Sequence, residues 1–120
     1  MKTVLIVEDV ELNRDLLVQL LEDRYALVIA EDGKAALRCA REDRPDLILM
    51  DLSLPRMDGW EATRRLKADP QTANIPVIVL SARAMRGDEE RARASGCDDF
   101  LTKPIDEELL YRKLERHLGG

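Results

Sequence analysis

Residues 45–59 of this 120-residue chain, PDLILMDLSLPRMDG, carry its clearest structural signal. The run from Asp46 to Met50 has the length of a strand, and every residue of it after Asp46 is apolar, which is typical of a parallel sheet covered on both faces. Asp51 follows this run directly, where the chain leaves the sheet. The stretch therefore predicts a buried parallel strand with a carboxylate at its carboxyl end.

Four other short apolar runs repeat this pattern along the chain, and amphipathic segments separate them. Strands that alternate with helices are typical of βα units, which build a parallel sheet with helices on both faces. We therefore predict an α/β fold with a five-stranded parallel sheet and five helices. The predicted strands are Thr3 to Val7, Tyr25 to Ala30, Asp46 to Met50, Pro76 to Leu80 and Asp98 to Leu101.

The first helix is predicted from five leucines at helical spacing. They are expected to form one apolar stripe against the sheet, with Asn13, Arg14 and Glu22 outside it. The leucines are Leu12, Leu16, Leu17, Leu20 and Leu21.

The other helices are predicted from the residues at their ends. Pro45 and Pro70 stop the second and third helices, and Gly96 is expected to end the fourth. Asp58 with Glu61 resembles a capping box for the third helix. The predicted ranges are Gly33 to Glu42, Gly59 to Ala68 and Arg86 to Ala94, and a fifth helix capped by Asp106 carries a stripe of Leu109, Leu110, Leu114 and Leu118.

The composition limits the partners and the compartment. With 19 basic and 24 acidic residues the net charge is −5, which disfavours nucleic acid and anionic membrane as direct partners. Cys39 and Cys97 lie outside any metal-ligand spacing, which predicts buried thiols in a reducing cytoplasm. The run from Val4 to Val7 is too short for a signal peptide or a membrane span. We expect one domain over residues 1–120.

Polar residues follow four of the five predicted strands. Because the carboxyl ends of parallel strands share one edge, and ligands bind outside that edge in open α/β sheets, these side chains are expected to converge. They are Glu8 and Asp9, Asp51, Ser81, and Thr102 with Lys103.

Three carboxylates at one edge require an explanation, because like charges a few ångströms apart repel. A divalent cation removes the conflict, and oxygen ligands without a soft ligand favour Mg²⁺, with Mn²⁺ as an alternative. A carboxylate beside a metal and the Lys103 ammonium is a suitable nucleophile for phosphoryl transfer. Taken singly, each acid has a simpler interpretation: Asp9 as a helix cap, Glu8 as a solvated acid and Asp51 as a turn cap.

Four motifs at the ends of strands one, three, four and five have a consistent order and spacing. They are Val7-Glu8-Asp9, MDLSLPRMDG at residues 50–59, Val79-Leu80-Ser81-Ala82 and Phe100-Leu101-Thr102-Lys103-Pro104. Through these motifs the chain resembles the receiver domains of two-component response regulators over essentially all its length. This resemblance implies a flavodoxin-like fold with strand order 2-1-3-4-5, a cis peptide bond before Pro104, and a signalling face of helix four, strand five and helix five.

The resemblance also implies a set of roles at the acid edge. Asp51 would be the phosphoacceptor and, together with Asp9, a direct ligand of Mg²⁺. Glu8 would act on the metal through water, and the backbone carbonyl of Ser53 would be a further ligand. Lys103 would contact the acceptor carboxylate or the phosphoryl group.

By the same resemblance, Ser81 would follow the phosphoryl group and Phe100 would turn inward when Ser81 moves. Ser53 and Arg83 occupy positions that tune the phosphoryl lifetime in this family. The implied function is a switch that takes a phosphoryl group from a histidine kinase or histidine phosphotransfer protein and then binds a downstream protein target. Such a switch catalyses its own Mg²⁺-dependent phosphorylation and slow dephosphorylation.

Three competing functions make different demands on the same residues. A phosphatase of the haloacid dehalogenase type usually carries a second Asp where this chain has Ser53. A receiver-like binding module that works without phosphorylation would lack an acid, the acceptor or the lysine. A nucleotide or flavin binder would need glycines in the first turn, which instead has the sequence EDVE at residues 8–11.

Overall fold

Within residues 1–54, 57–81 and 86–119, which the computed structural model describes, five strands alternate with five helices. The strands are β1 (Thr3–Val7), β2 (Ala26–Ala30), β3 (Leu47–Asp51), β4 (Val77–Ser81) and β5 (Asp99–Thr102). The helices are α1 (Glu11–Leu21), α2 (Gly33–Asp43), α3 (Gly59–Ala68), α4 (Arg86–Ser95) and α5 (Glu107–Leu118). None of these described helices is long and apolar enough to cross a membrane.

The strands form a sheet of order β2-β1-β3-β4-β5, in which every described pairing is parallel. This confirms the predicted α/β class and strand order. The order reverses between β1 and β3, so the chain leaves these two strands in opposite directions. Glu8 and Asp51 lie at the crevice that results, at the carboxyl ends of β1 and β3.

Alternate residues of the central strands face opposite sides of the sheet. On one side, apolar residues of α1 and α5 pack against side chains that include Ile6 and Leu49. On the other side, residues of α2 and α3 pack against side chains that include Leu5 and Ile48. All four of these strand residues are fully buried, and each contributes about 1.5–3 kcal/mol to stability. The site at the ends of β1 and β3 is therefore held by two strands that are packed on both faces.

Four strands begin one residue later than predicted, and β3, β4 and β5 also end one residue later. The aspartates before β3 and β5 act across the sheet. Asp46 Oδ2 accepts the Thr3 N–H at 2.7 Å, and Asp98 Oδ2 accepts the Val77 N–H at 2.8 Å. Each aspartate N–H in turn donates to the carbonyl of the same partner residue. These aspartates cap a neighbouring strand, a long-range role that a local apolar pattern does not show.

The predicted stripe of α1 is only partly correct. Leu17 and Leu21 are buried and Leu20 packs against the core, but Leu12 is 78% exposed and Leu16 is 50% exposed. At about 100° per residue, Leu12 and Leu16 lie roughly 100–140° around the helix from Leu17. The five leucines therefore form a band wider than the sheet can cover, and its outer part faces solvent.

Asp32, Asp58 and Asp106 cap the helices that follow them: their side chains accept the backbone N–H of Ala35, Glu61 and Leu109, respectively. The caps at Asp58 and Asp106 were predicted. The Glu61 carboxylate pairs with Arg64 and Arg65 among the described contacts, so only the forward half of the predicted capping box is present. In α5, Leu110, Leu114 and Leu118 are buried as predicted, whereas Leu109 is 39% exposed.

Gly59, the first residue of α3, lies against the backbone of the strand that carries Asp51. A Cβ atom at this position would lie 2.8 Å from the Leu52 Cα and closer still to the Asp51 carbonyl oxygen. The Gly59 N–H also donates to the Leu52 carbonyl at 3.2 Å. The absence of a side chain at Gly59 is therefore what allows α3 to pack this close to the site. Gly96, with φ of 85°, ends α4 as predicted.

Gly59→Ala is expected to lower the free energy of unfolding by about 3 kcal/mol, because the new Cβ would overlap backbone atoms that cannot move without shifting β3. Chemical denaturation measures the loss. Gly119→Ala is the comparison: its φ is 75° but its surroundings are open, so the expected loss is about 1 kcal/mol from backbone strain alone. Equal losses at the two positions would contradict this account.

Candidate functional site

Glu8, Asp9 and Asp51 converge at the crevice between β1 and β3. Each offers one carboxylate oxygen to a group whose members all lie within 4.8 Å of one another. Glu8 is 1% exposed and Asp51 is 3% exposed, whereas Asp9 lies at the surface. The structure thus brings the three predicted acids together, two of them inside the protein and one at its rim.

The local structure argues against the simpler interpretations of these acids. The N-cap residue of α1 is Val10, and no side chain caps this helix, so Asp9 is not a helix cap. Glu8 is too deeply buried to be a solvated surface acid. The Asp51 carboxylate is engaged by an ammonium group rather than by a turn, since its Oδ1 accepts a hydrogen bond from Lys103.

Lys103 reaches the acids from the end of β5. Its Nζ lies 3.1 Å from Asp51 Oδ1 and 3.5 Å from Glu8 Oε1. Its backbone N–H donates to the Ser81 carbonyl at 2.7 Å, which fixes the start of the loop after β5. The Lys103–Pro104 peptide bond is cis, as the resemblance implied. Among the described residues, Lys103 is the cation that contacts this group, and it pairs with two of the three carboxylates.

Glu8 is a buried acid with unmet hydrogen-bonding capacity, because neither of its carboxylate oxygens has a hydrogen-bond partner within the described residues. Burial raises the pKa of Glu8 to about 7, and the Asp51 carboxylate adds to the rise because a proton shared between the two acids relieves their repulsion. A buried carboxylate without donors, held against two others, is suited to a cation. The oxygen-only donor set fits Mg²⁺.

The other predicted site residues, Ser81, Ser53 and Phe100, are buried to different extents. Ser81 ends β4 and is 4% exposed. Ser53 lies two residues after Asp51 and is exposed. Within the described part of the chain, no donor contacts the Ser53 carbonyl. Phe100 is half-buried and packs against the core on the α2 and α3 side.

The edge strand β5 is tied to α5 by a charged cluster centred on Asp99. Asp99 Oδ1 accepts the Phe100 N–H at 2.9 Å and the Lys113 Nζ at 2.6 Å. His117 Nε2 lies 3.2 Å from Asp99 Oδ2, and Arg116 Nη1 lies 3.6 Å from it. The switch residue predicted at position 100 is therefore held through its backbone while its ring remains partly exposed.

Two residues next to the site had no predicted role. Asn13 lines the cavity beside Glu8, and its side-chain amide favours the ionised form of Glu8, which offsets part of the rise in the pKa of Glu8. Arg14 Nη1 donates to the Glu8 carbonyl at 3.3 Å. The sequence offered one signal that could have identified these two residues: both follow Glu8 and Asp9 closely and lie within the first turn of α1. Arg83 lies outside the described residues, so its role remains a prediction.

A cavity of about 230 Å³ opens beside the acids, between α1 and the connection from β5 to α5. Its walls are mostly apolar and include Leu16, Leu80 and Ile105, while Glu8 and Lys103 form its polar end. The half-exposed Leu16 thus connects the outer surface of α1 with the charged site.

Comparisons with known proteins agree with this geometry. The sequence matches the response regulator receiver domain family over residues 4–115. It is 46% identical over 119 residues to the polar-differentiation response regulator DivK of Brucella anthropi, which covers 98% of this chain and 97% of that protein.

Solved structures of receiver domains are also similar to this chain. A signal receiver domain of a histidine kinase from Syntrophus aciditrophicus is 36% identical, with a TM-score of 0.92 over 100% of this chain and 92% of that one. The receiver domain of a sensor histidine kinase from Pseudomonas aeruginosa, solved with a magnesium ion coordinated in its active site cleft, is 37% identical. Its TM-score is 0.91 over 99% of this chain and 98% of that one.

Glu8→Gln is expected to stabilise the metal-free protein at neutral and alkaline pH, because it removes a buried charge. The native pKa of Glu8, about 7, lies above the ordinary value of 4.5. The native state therefore binds the proton more tightly, and ionisation costs stability progressively as pH rises from about 4.5 to about 7. The gain in melting temperature should be small near pH 4.5, grow up to pH 7 and then level off. A gain independent of pH would contradict this assignment.

Proposed function

The chain belongs to the response regulator receiver family of two-component signalling, and we propose that Asp51 is its phosphoacceptor. The observation that carries this proposal is the Lys103 ammonium 3.1 Å from Asp51 Oδ1, within a group of three carboxylates. A receiver-like module that works without phosphorylation would not need this costly arrangement. Acid, acceptor and lysine are all in place, so the phosphorylation-independent alternative is not favoured.

The carboxylate cluster suits Mg²⁺, or Mn²⁺ in its place. Asp9, Asp51 and the Ser53 carbonyl would hold the ion directly, and Glu8 would do so through water. When bound, the ion supplies positive charge to the phosphoryl oxygens during transfer. Lys103 holds the acceptor carboxylate beside Glu8 before transfer and can then pair with a phosphoryl oxygen.

The transfer itself is a displacement at phosphorus. A carboxylate oxygen of Asp51 forms a new bond to the phosphorus of a phosphohistidine, and the P–N bond breaks with its electron pair leaving on the imidazole, which then takes up a proton. The aspartyl phosphate is lost slowly when water attacks the phosphorus. Ser53 stands where haloacid dehalogenase enzymes carry a second Asp, so this chain lacks their general acid at that position. The missing acid favours a switch with a persistent phosphoryl group over an enzyme with rapid turnover.

Phosphorylation would change the charge beside β4 and, as a result, the side-chain packing around β5. The phosphoryl group adds roughly −1.5 to −2 charge and three acceptor oxygens, and the buried Ser81 hydroxyl is the proposed donor from β4. Movement of Ser81 would open space that the half-buried Phe100 ring could fill, since burial of an aromatic ring is favourable. The changed face would lie on α4, β5 and α5, where a downstream protein target would bind.

The exposed leucines of α1 offer a contact for the phosphodonor protein. Leu12 is 78% exposed and Leu16 is 50% exposed, and Leu16 also lines the cavity beside Glu8 and Lys103. A histidine kinase or phosphotransfer protein must bring its imidazole to Asp51, so it has to cover surface next to this cavity. We assign the contact to an apolar helical surface of that donor. Cys39 and Cys97 are free thiols that are half-buried and not fully buried as predicted, and we propose a reducing cytoplasm as the compartment.

A small phosphodonor with Mg²⁺ is expected to add about 80 Da, the mass of one phosphoryl group, at Asp51. Intact-mass and peptide-mapping mass spectrometry measure the adduct and its position. Asp51→Asn and omission of the metal should each abolish it, whereas Asp58→Asn, a change in the cap of α3, should not. An adduct mapped to another residue would rule out Asp51 as acceptor.

Leu12→Asp is expected to slow phosphoryl transfer from the cognate histidine kinase by about tenfold, because it places a charge in an apolar contact. An Asp in the first turn of α1 suits the helix dipole, so the fold should be retained. Phosphorylation by a small phosphodonor should keep its wild-type rate, since it needs no docking. Leu109→Asp, at an exposed leucine of α5, is the matched control. Equal slowing with both donors would mean that Leu12 acts on the site and not on docking.

A further inference from the structure

The turn that carries Glu8 and Asp9 is held differently from the starts of α2, α3 and α5. The helices after Asp32, Asp58 and Asp106 each have an aspartate cap, but α1 has no side-chain cap. An uncapped turn with two adjacent carboxylates needs another restraint, because repulsion favours its opening. One restraint is the Glu8 N–H, which donates to the Ala30 carbonyl at 3.0 Å.

Arg14 supplies the second restraint. Its Nη1 lies 3.3 Å from the Glu8 carbonyl and 3.4 Å from Glu31 Oε1. One guanidinium nitrogen carries two hydrogens and can serve both acceptors. The Arg14 side chain is only 18% exposed, whereas that of Glu31 is 73% exposed. The contact with the Glu8 carbonyl is thus the more buried one, and it joins the first turn of α1 to the backbone of the turn that carries Glu8 and Asp9.

We infer that Arg14 is a positioning residue of the metal site: by holding the Glu8 carbonyl it fixes the turn so that the Glu8 and Asp9 carboxylates stay directed to one point. Both backbone polar groups of Glu8 are then bonded, the N–H to the end of β2 and the carbonyl to α1. This inference rests on the metal site of the proposed function and extends it to a residue that touches neither metal nor phosphoryl group. Residues of this kind typically change metal affinity by 10–100-fold when mutated.

The charge of Arg14 makes the inference testable, because loss of the charge and loss of the contact would change the Mg²⁺ affinity in opposite directions. A cation near a divalent metal site repels the metal, so loss of the charge alone would tighten Mg²⁺ binding. Loss of the restraint on the turn would weaken it. Arg14→Met keeps an unbranched apolar stem but removes both the charge and the donors, so the two effects oppose each other in this variant.

Mg²⁺ titration of the metal-free protein, followed by Trp60 fluorescence, measures the effect. Trp60 is suitable because it follows Gly59, whose backbone packs on Asp51. Arg14→Met is expected to raise the Kd for Mg²⁺ by about tenfold, and Arg14→Lys, which keeps the charge but not the two-acceptor geometry, by about threefold. Glu31→Gln keeps the contact with the Glu8 carbonyl, so its Kd should stay within about twofold of wild type.

A second readout needs no metal. Hydrogen exchange of the Asp9 and Val10 amides should be faster in Arg14→Met than in wild type, while exchange in β3 stays unchanged. Unchanged or tighter Mg²⁺ binding, unchanged exchange at the turn, or an equal loss of affinity in Glu31→Gln would each overturn the role of Arg14. Failure of wild-type protein to bind Mg²⁺ or to be phosphorylated at Asp51 would instead refute the proposed function, so the two failures are distinct.

Discussion

Mutual repulsion of three carboxylates, held together at one edge of a sheet, is the constraint on which this structure depends. In a flexible chain Glu8, Asp9 and Asp51 would separate, but here their ligand atoms lie within 4.8 Å of one another. They stay together because Glu8 and Asp51 sit at the ends of β1 and β3, whose preceding residues are fully buried. Lys103 offsets only part of the charge. Burial, together with the neighbouring Asp51 carboxylate, raises the pKa of Glu8 to about 7, and the remaining negative charge makes the site suitable for a cation.

The same constraint shapes the elements around the site. Three described helices begin at capping aspartates, whereas the helix that begins at the site has Val10 as its N-cap residue and leaves Asp9 exposed. The helix at the site thus lacks the side-chain cap that stabilises these three helices, and such local departures are common at functional sites. The close contact of Gly59 with the Asp51 backbone brings α3 to the other side of the crevice. Packing therefore supplies the rigidity that the local sequence of the site does not.

The sequence predicts the strands and the meeting of the acids well, because buried parallel strands are apolar throughout and their carboxyl ends share one edge. Strand order and the cis peptide bond came from family resemblance and not from periodicity. The starts of β3 and β5 were missed by one residue because Asp46 and Asp98 cap partners 43 and 21 positions away. Helical spacing grouped Leu12 with Leu17 because it does not show where the sheet contact of a helix ends. Arg14 was missed because its contact is with a backbone carbonyl, which leaves no pattern in side-chain types.

The charged cluster on β5 has a consequence for the protein as a solute. An edge strand offers unpaired N–H groups to strands of other molecules, which is a common route to aggregation. Asp99 occupies the N–H of Phe100 with its own carboxylate and is itself held by Lys113 and His117. A foreign strand would have to break this cluster and bury its charges before it could extend the sheet. The strand can therefore remain at the edge of the sheet while intermolecular β-pairing is discouraged.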